Sequence, residues 1–190
     1  MITFNQTRGA LPATPDAVSV ALEASVTNDR ASAMIAASWA LVETFTGRNY
    51  WPITAAVAIA DVAASDTALS GTAQWPRDPF PADVTLEKWN AGAWVADTGA
   101  DYVPDVGLAI LLTPGARYRV AQVGTVTPAA PAANVTEAVR ALALYQLIHS
   151  VARREFRQMN AGDSSLTREA LDGLFRASGA GILLAGEVRW

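Results

Sequence analysis

Residues 28–48 read NDRASAMIAASWALVETFTGR. Ala31, Met34, Ile35, Ser38, Trp39, Leu41, Val42 and Phe45 recur at spacings of three and four, the period of a helix with one apolar face. Thr27 or Asn28 can cap its start with a side-chain oxygen. Gly47 stops it, because glycine enters the left-handed conformation of a helix end without steric cost. Upstream, Thr14-Pro15-Asp16 reads as an earlier helix start: a capping hydroxyl, proline at the first helical position, then an acid at the positive dipole end. That helix runs to about Ala24 and is interrupted at Val26-Thr27-Asn28-Asp29. Residues 1–50 therefore read as an N-terminal helical part.

Beyond Trp51 the period shortens. Ile53, Val57 and Ile59 open a β-branched run. Val84, Leu86 and Trp89 precede Asn90-Ala91-Gly92, and Trp94 and Val95 resume, which is a hairpin signal. Tyr102-Val103, Leu108 to Leu112 and Tyr118 to Val123 read as further strands, with a turn at Thr113-Pro114-Gly115. Residues 75–81 carry three prolines and read as loop. Residues 51–127 thus read as a β-rich inserted subdomain, and most of the acidic excess lies in it.

A proline- and alanine-rich linker leads into residues 128–177. Asn134-Val-Thr-Glu137 has the form of a capping box. A long helix is predicted from there to about Gln158. Val135, Val139, Leu142, Tyr145, His149, Ala152 and Phe156 form one apolar stripe; Ala141, Leu144, Ile148 and Val151 form another. Arg140, Gln146, Ser150, Arg153 and Arg157 lie between them. A helix apolar on two sides packs either on its own domain and a neighbour, or centrally in a single core. The polar stripe must meet water or carboxylates, since burying an unpaired arginine is costly. Leu166 to Ala177 reads as a shorter amphipathic helix. The tail, residues 178–190, is glycine-rich but apolar, and Ile182, Leu183, Leu184, Val188 and Trp190 read as a strip that docks on a surface. The expected fold is α+β, mainly α: a helical body of two N-terminal helices with a long and a shorter C-terminal helix, carrying a small β-rich insertion.

Composition narrows the function. The chain has 190 residues, 51% of them hydrophobic, with 39 alanines. Charged residues are 17%, below the roughly 25% usual in soluble domains, which suits a subunit that buries much of its outside against partners. There is no cysteine and one histidine, which removes thiolate and multi-histidine metal sites and cysteine nucleophiles. No apolar run reaches the ~20 residues of a membrane helix. The N-terminus lacks the form of a secretory signal, so a cytoplasmic compartment is expected. A net charge of −4 argues against a dedicated nucleic-acid binder.

Chemistry is sparse. His149 falls within an apolar stripe, the place of a packed core residue more often than of a base. Asp97, Asp101 and Asp105 lack the pattern of a calcium loop and read as solvated turn acids. No phosphate loop is present. Arg153-Arg154-Glu155-Phe156-Arg157 is the one basic cluster, interrupted by an acid, and reads as a solvated or intersubunit face. No catalytic residue, cofactor or metal is expected.

The order of parts resembles the head–tail connector (adaptor) proteins of long-tailed bacteriophages and of phage-derived gene transfer agents. The resemblance lies in Asn28-Asp29, in Ala36-Ala37 through Glu43, Thr46, Gly47 and Arg48, matching a helix that ends in Glu-x-x-Thr-Gly-Arg. It continues in the strand pair at Tyr102-Val103 and Leu108 to Leu112, and in the late helix from Val135 with Tyr145 and Arg154-Glu155. The sequence departs from the family at Val123-Gly124-Thr125 and in its apolar tail. The resemblance implies a non-enzymatic ring, commonly of twelve copies, assembled in the bacterial cytoplasm and placed at the head–tail junction of the virion. The portal would lie above, a tail-side stopper or tail terminator below, with DNA passing through the central channel and no membrane involved. It would put Arg140, Gln146, Ser150, Arg153 and Arg157 at the channel or a subunit boundary, and the tail on the portal. Two alternatives stay open: a minor tail or baseplate-type structural protein, and a small enzyme or regulatory subunit using His149.

Overall fold

The computed structural model describes residues 2–10, 14–64, 71–149 and 173–188. The chain forms two compact units: Met1–Leu11 with Arg48–Ala129, and Pro12–Gly47 with Ala130–Trp190.

The first unit is built of eight strands: β1 (Ile2–Arg8), β2 (Ile53–Asp61), β3 (Gly71–Gln74), β4 (Val84–Asn90), β5 (Ala93–Ala96), β6 (Asp101–Val103), β7 (Leu108–Leu112) and β8 (Arg117–Gln122). They make a five-stranded sheet in the order β1-β2-β8-β4-β5 and a three-stranded sheet in the order β3-β7-β6, with every pairing antiparallel. Alternation selects the core. Ala56, Ala58 and Ala60 on β2 and Tyr118 and Val120 on β8 are buried, as are Ala109, Leu112 and Trp75. The β4–β5 hairpin closes on Ala91 and Gly92, both at positive φ. That is the backbone a two-residue hairpin turn requires.

The second unit is helical: α1 (Ala17–Ala24), α2 (Asn28–Thr46) and α3 (Ala133–Ile148), then helical residues 173–178 and a short helix at Ala180–Leu183. Thr27 caps α2 and Gly47 ends it at φ 69°. Ala31, Ile35, Ser38, Trp39 and Val42 are buried on one face of α2, and α3 supplies Val135, Val139 and Leu142 with no exposure. Phe45 stacks on Phe175 at 4.1 Å between ring centres.

Four expectations are corrected. The chain is not mainly α: 34% of the described residues are helical and 31% are strand. Part of the difference is β1. Ile2–Arg8 is the edge of the larger sheet, because Phe4 reaches across to Trp75, edge-to-face at 5.5 Å. That long-range contact is invisible in a mostly polar heptapeptide. The late helix breaks at Ile148, with His149 extended at its C-cap, and the rest of the stretch predicted to reach Gln158 lies outside the described residues. The capping box does not form: α3 begins behind Ala132 without a side-chain cap, and the Asn134 amide instead donates to the Leu183 carbonyl at 2.9 Å. At the first helix Asp16, not Thr14, is the cap, while Thr14 accepts from the Trp39 indole at 3.3 Å.

Candidate assembly surfaces

The segment that carries the family resemblance is spent on structure. Glu43 and Thr46 are fully buried. The Thr46 hydroxyl donates to the Val42 carbonyl at 2.8 Å, Gly47 makes the left-handed stop, and Arg48 opens the β unit. There Arg48 bridges to Asp78, its guanidinium 3.9 Å from that carboxylate, and the Asn49 N–H donates to the Asp78 carbonyl at 2.7 Å. Each residue of Glu-x-x-Thr-Gly-Arg thus belongs to the junction at which a helix ends and a sheet unit begins.

The polar stripe of α3 is not one surface. Arg140 is partly exposed and pairs with Glu23 of α1 and with Glu137, the latter at 3.1 Å. Gln146 does not face outward. It is 8% exposed, and its amide donates to the Ser38 hydroxyl at 3.0 Å and to the Leu142 carbonyl at 3.2 Å. A buried amide is tolerated when its bonds are met, and Ser38, a small polar residue inside the α2 face, meets one. Ser150, Arg153 and Arg157 lie outside the described residues. His149 lies at the end of α3, its ring 4.3 Å from Tyr145 one turn back.

The apolar tail is divided. Leu184 is fully buried, whereas Ile182 is 85% exposed. Leu183 and Val188 are half-buried, and Trp190 lies outside the described residues. Gly179 at φ 77° turns the chain between its two helical runs, and the Asn134 bond to Leu183 ties the second of them to α3.

In the β unit the outward sheet face carries cross-strand pairs. Arg119 binds Glu87 at 2.6 Å and lies 5.2 Å from the centre of the Trp94 ring; Trp94 meets Trp89 edge-to-face at 5.0 Å. Arg117 binds Asp61 at 2.6 Å and lowers its carboxyl pKa. The second of these pairs is exposed, and exposed pairs contribute little to stability. The other face hides a network the sequence did not announce. The Tyr118 hydroxyl donates to Asp97 at 2.5 Å and accepts from the Thr113 N–H at 3.0 Å, while Lys88 reaches the Thr113 hydroxyl at 3.1 Å. The bond from Tyr118 holds the Asp97 carboxyl below its usual pKa; burial, then Asp97 itself, push the Tyr118 phenol up. Burial raises Tyr102 to about 12. Asp97 is therefore a sheet-end ligand of Tyr118, and it does not converge with Asp101 and Asp105: among the described residues no group of three His, Cys, Asp or Glu could hold a metal.

No protein-family model matches the chain, and no curated protein matches it. Among solved structures, a chain described as "Virion of native gene transfer agent (GTA) particle" is similar, with 19% identity over 90% of this chain and 94% of that one, at a TM-score of 0.43. A likeness at that level carries no argument about function.

Proposed function

We propose that the chain is a structural subunit of a phage-like particle and, within that class, a head–tail connector that forms a ring beneath the portal. The observation that carries this reading is the use of Glu43, Thr46, Gly47 and Arg48. The residues in which the sequence resembles the connector family are the ones that end α2 and start the β unit, so the resemblance is one of architecture. The helical unit joins Pro12–Gly47 to Ala130–Trp190, and the β unit takes Met1–Leu11 together with Arg48–Ala129. An acidic chain with a single lysine suits a channel that passes DNA without gripping it, since each neutralised phosphate adds salt-dependent affinity.

Omitting the chain from particle production tests the reading. Heads and tails should accumulate unjoined and be joined when the chain is supplied. Joined particles lacking only a tail-tip structure would assign it to the tail instead, and joined, complete particles would refute a connector role.

A further inference from the structure

The five-stranded sheet has two edges, β1 and β5, and its hydrogen bonds show which backbone groups point out of each. Val62 exchanges bonds with Ala116 and Gly115, so Val62, Ala60 and Ala58 turn their peptide groups toward β8. Alternation then turns Ile59 and Val57 toward β1. Their partners Thr3 and Asn5 point inward, which leaves Phe4 and Gln6 pointing outward. At the other edge, Asn90 opposes Ala93 across a two-residue turn, Lys88 opposes Val95, and the Asp97 N–H donates to the Leu86 carbonyl. Trp94 and Ala96 therefore point outward.

Neither edge is defended in the usual way by lysine, proline or a mid-strand bulge. β5 reads AWVA and is uncharged, and Val95 is 50% exposed. β1 has its one charge and its register shift at its last residue. Among the described residues no strand pairs with either edge.

We propose that β5 of one copy adds to β1 of the next as a parallel strand, and that this joint repeats around the ring. The inference rests on the ring reading above. Four antiparallel steps separate β1 from β5, so the two run in the same direction. A neighbour generated by rotation, with its sheet facing the same way, presents β1 parallel to β5. In a parallel ladder an outward residue bonds to the two residues flanking its opposite number. The regular part of β1 ends before the shift at Thr7/Arg8, which sets Trp94 opposite Thr3 and Ala96 opposite Asn5. The Trp94 and Ala96 N–H groups would donate to the Ile2 and Phe4 carbonyls of the next copy. The Phe4 and Gln6 N–H groups of that copy would donate to the Trp94 and Ala96 carbonyls.

Side-chain parity agrees. Thr3, Ile59, Arg119, Glu87 and Ala96 form one cross-strand row, so Ala96 and Asn5 lie on the same outward face. The buried face likewise continues as buried face. Antiparallel pairing of these edges would set Trp94 against Phe4 and turn the neighbour over, which no ring rotation does. The contact joins two different surfaces, the kind that closes into a ring.

The test uses the absence of native cysteine. Within one copy the two edges are four strand spacings apart, roughly 19 Å, beyond disulfide reach. The double variant Asn5→Cys/Ala96→Cys, oxidised after mixing with portal rings, should give a reducible ladder of covalent multimers, and neither single variant should. Linked dimers from Ala96→Cys alone or Asn5→Cys alone would show like edges pairing and overturn the proposal. Rings of normal mass without links would overturn it while leaving the ring reading standing. Absence of rings from the wild-type chain would overturn both. Ala96→Pro removes one outward donor and no bond within the hairpin. It should leave a folded monomer and lower ring affinity about tenfold or more; a folded variant with unchanged ring formation would contradict the joint.

Discussion

Leu184→Ala tests whether the apolar tail is part of its own subunit. Leu184 is fully buried, its N–H bonds the Ala180 carbonyl at 3.0 Å, and the preceding residue is held by Asn134 at 2.9 Å. Removing three buried carbons from such a site costs about 3 kcal/mol once the residual cavity is included. In a chain of this size each kcal/mol lowers the melting temperature by about 2–4 °C, so a fall of about 6–12 °C is expected. Ile182, two residues away and 85% exposed, is the internal control: Ile182→Ala should stay within about 0.5 kcal/mol. Asn134→Ala, losing one hydrogen bond, should fall between them, near 1 kcal/mol. Far-ultraviolet circular dichroism of the dilute isolated chain, by heat and by urea, measures all three. An unchanged midpoint for Leu184→Ala, with portal binding lost, would refute the packing and return the whole tail to a docking role. If the packing holds, Ile182 is the exposed apolar residue among the described part of the tail, and its substitution should weaken portal attachment without touching stability.

Three further outcomes are expected. Gln146→Met should destabilise by about 1–3 kcal/mol because Ser38 loses its buried partner, and adding Ser38→Ala should recover part of the loss; additive effects in a double-mutant cycle would deny the bond. Tyr118→Phe should raise the Asp97 pKa. A depressed folded carboxylate pKa stabilises above the unfolded value and loses that contribution as pH falls through the folded one. The wild type should therefore lose stability on acidification below about pH 4 more steeply than the variant; superimposable acid profiles would contradict the assignment. Tyr102, raised to about 12 by burial, contributes stability that is present below the ordinary phenol pKa and is lost as pH rises from about 10 toward 12. Tyr102→Phe should remove a late phase from the spectrophotometric alkaline titration, and an unaltered titration would contradict it.

Local signals carried much of this fold. The 3.6-residue period located α2, and the Asn90-Ala91-Gly92 turn located the β4–β5 hairpin. The chemistry of Thr27 and Gly47 marked both ends of α2, because caps act within a few residues. What failed was decided at a distance. β1 is a strand because β2 offers it an edge and Trp75 takes Phe4, and neither is visible near residue 4. Asn134 looked like a cap by spacing and was drawn off by a carbonyl 49 residues away. Gln146 looked like a surface residue by type and is buried because Ser38, on another helix, supplies its partner. The residues proposed for assembly were legible only as patterns: among the described residues, Gln146 of the polar stripe and Leu184 of the tail strip are buried within their own subunit.

The most direct test of the ring is native mass measurement of the purified chain, alone and with a purified portal ring. The expected result is a discrete complex in which one closed set of copies, twelve by resemblance to the connector family, sits on each portal ring. A chain that stays monomeric beside the portal, or that loads it one copy at a time without a preferred closed number, would contradict it.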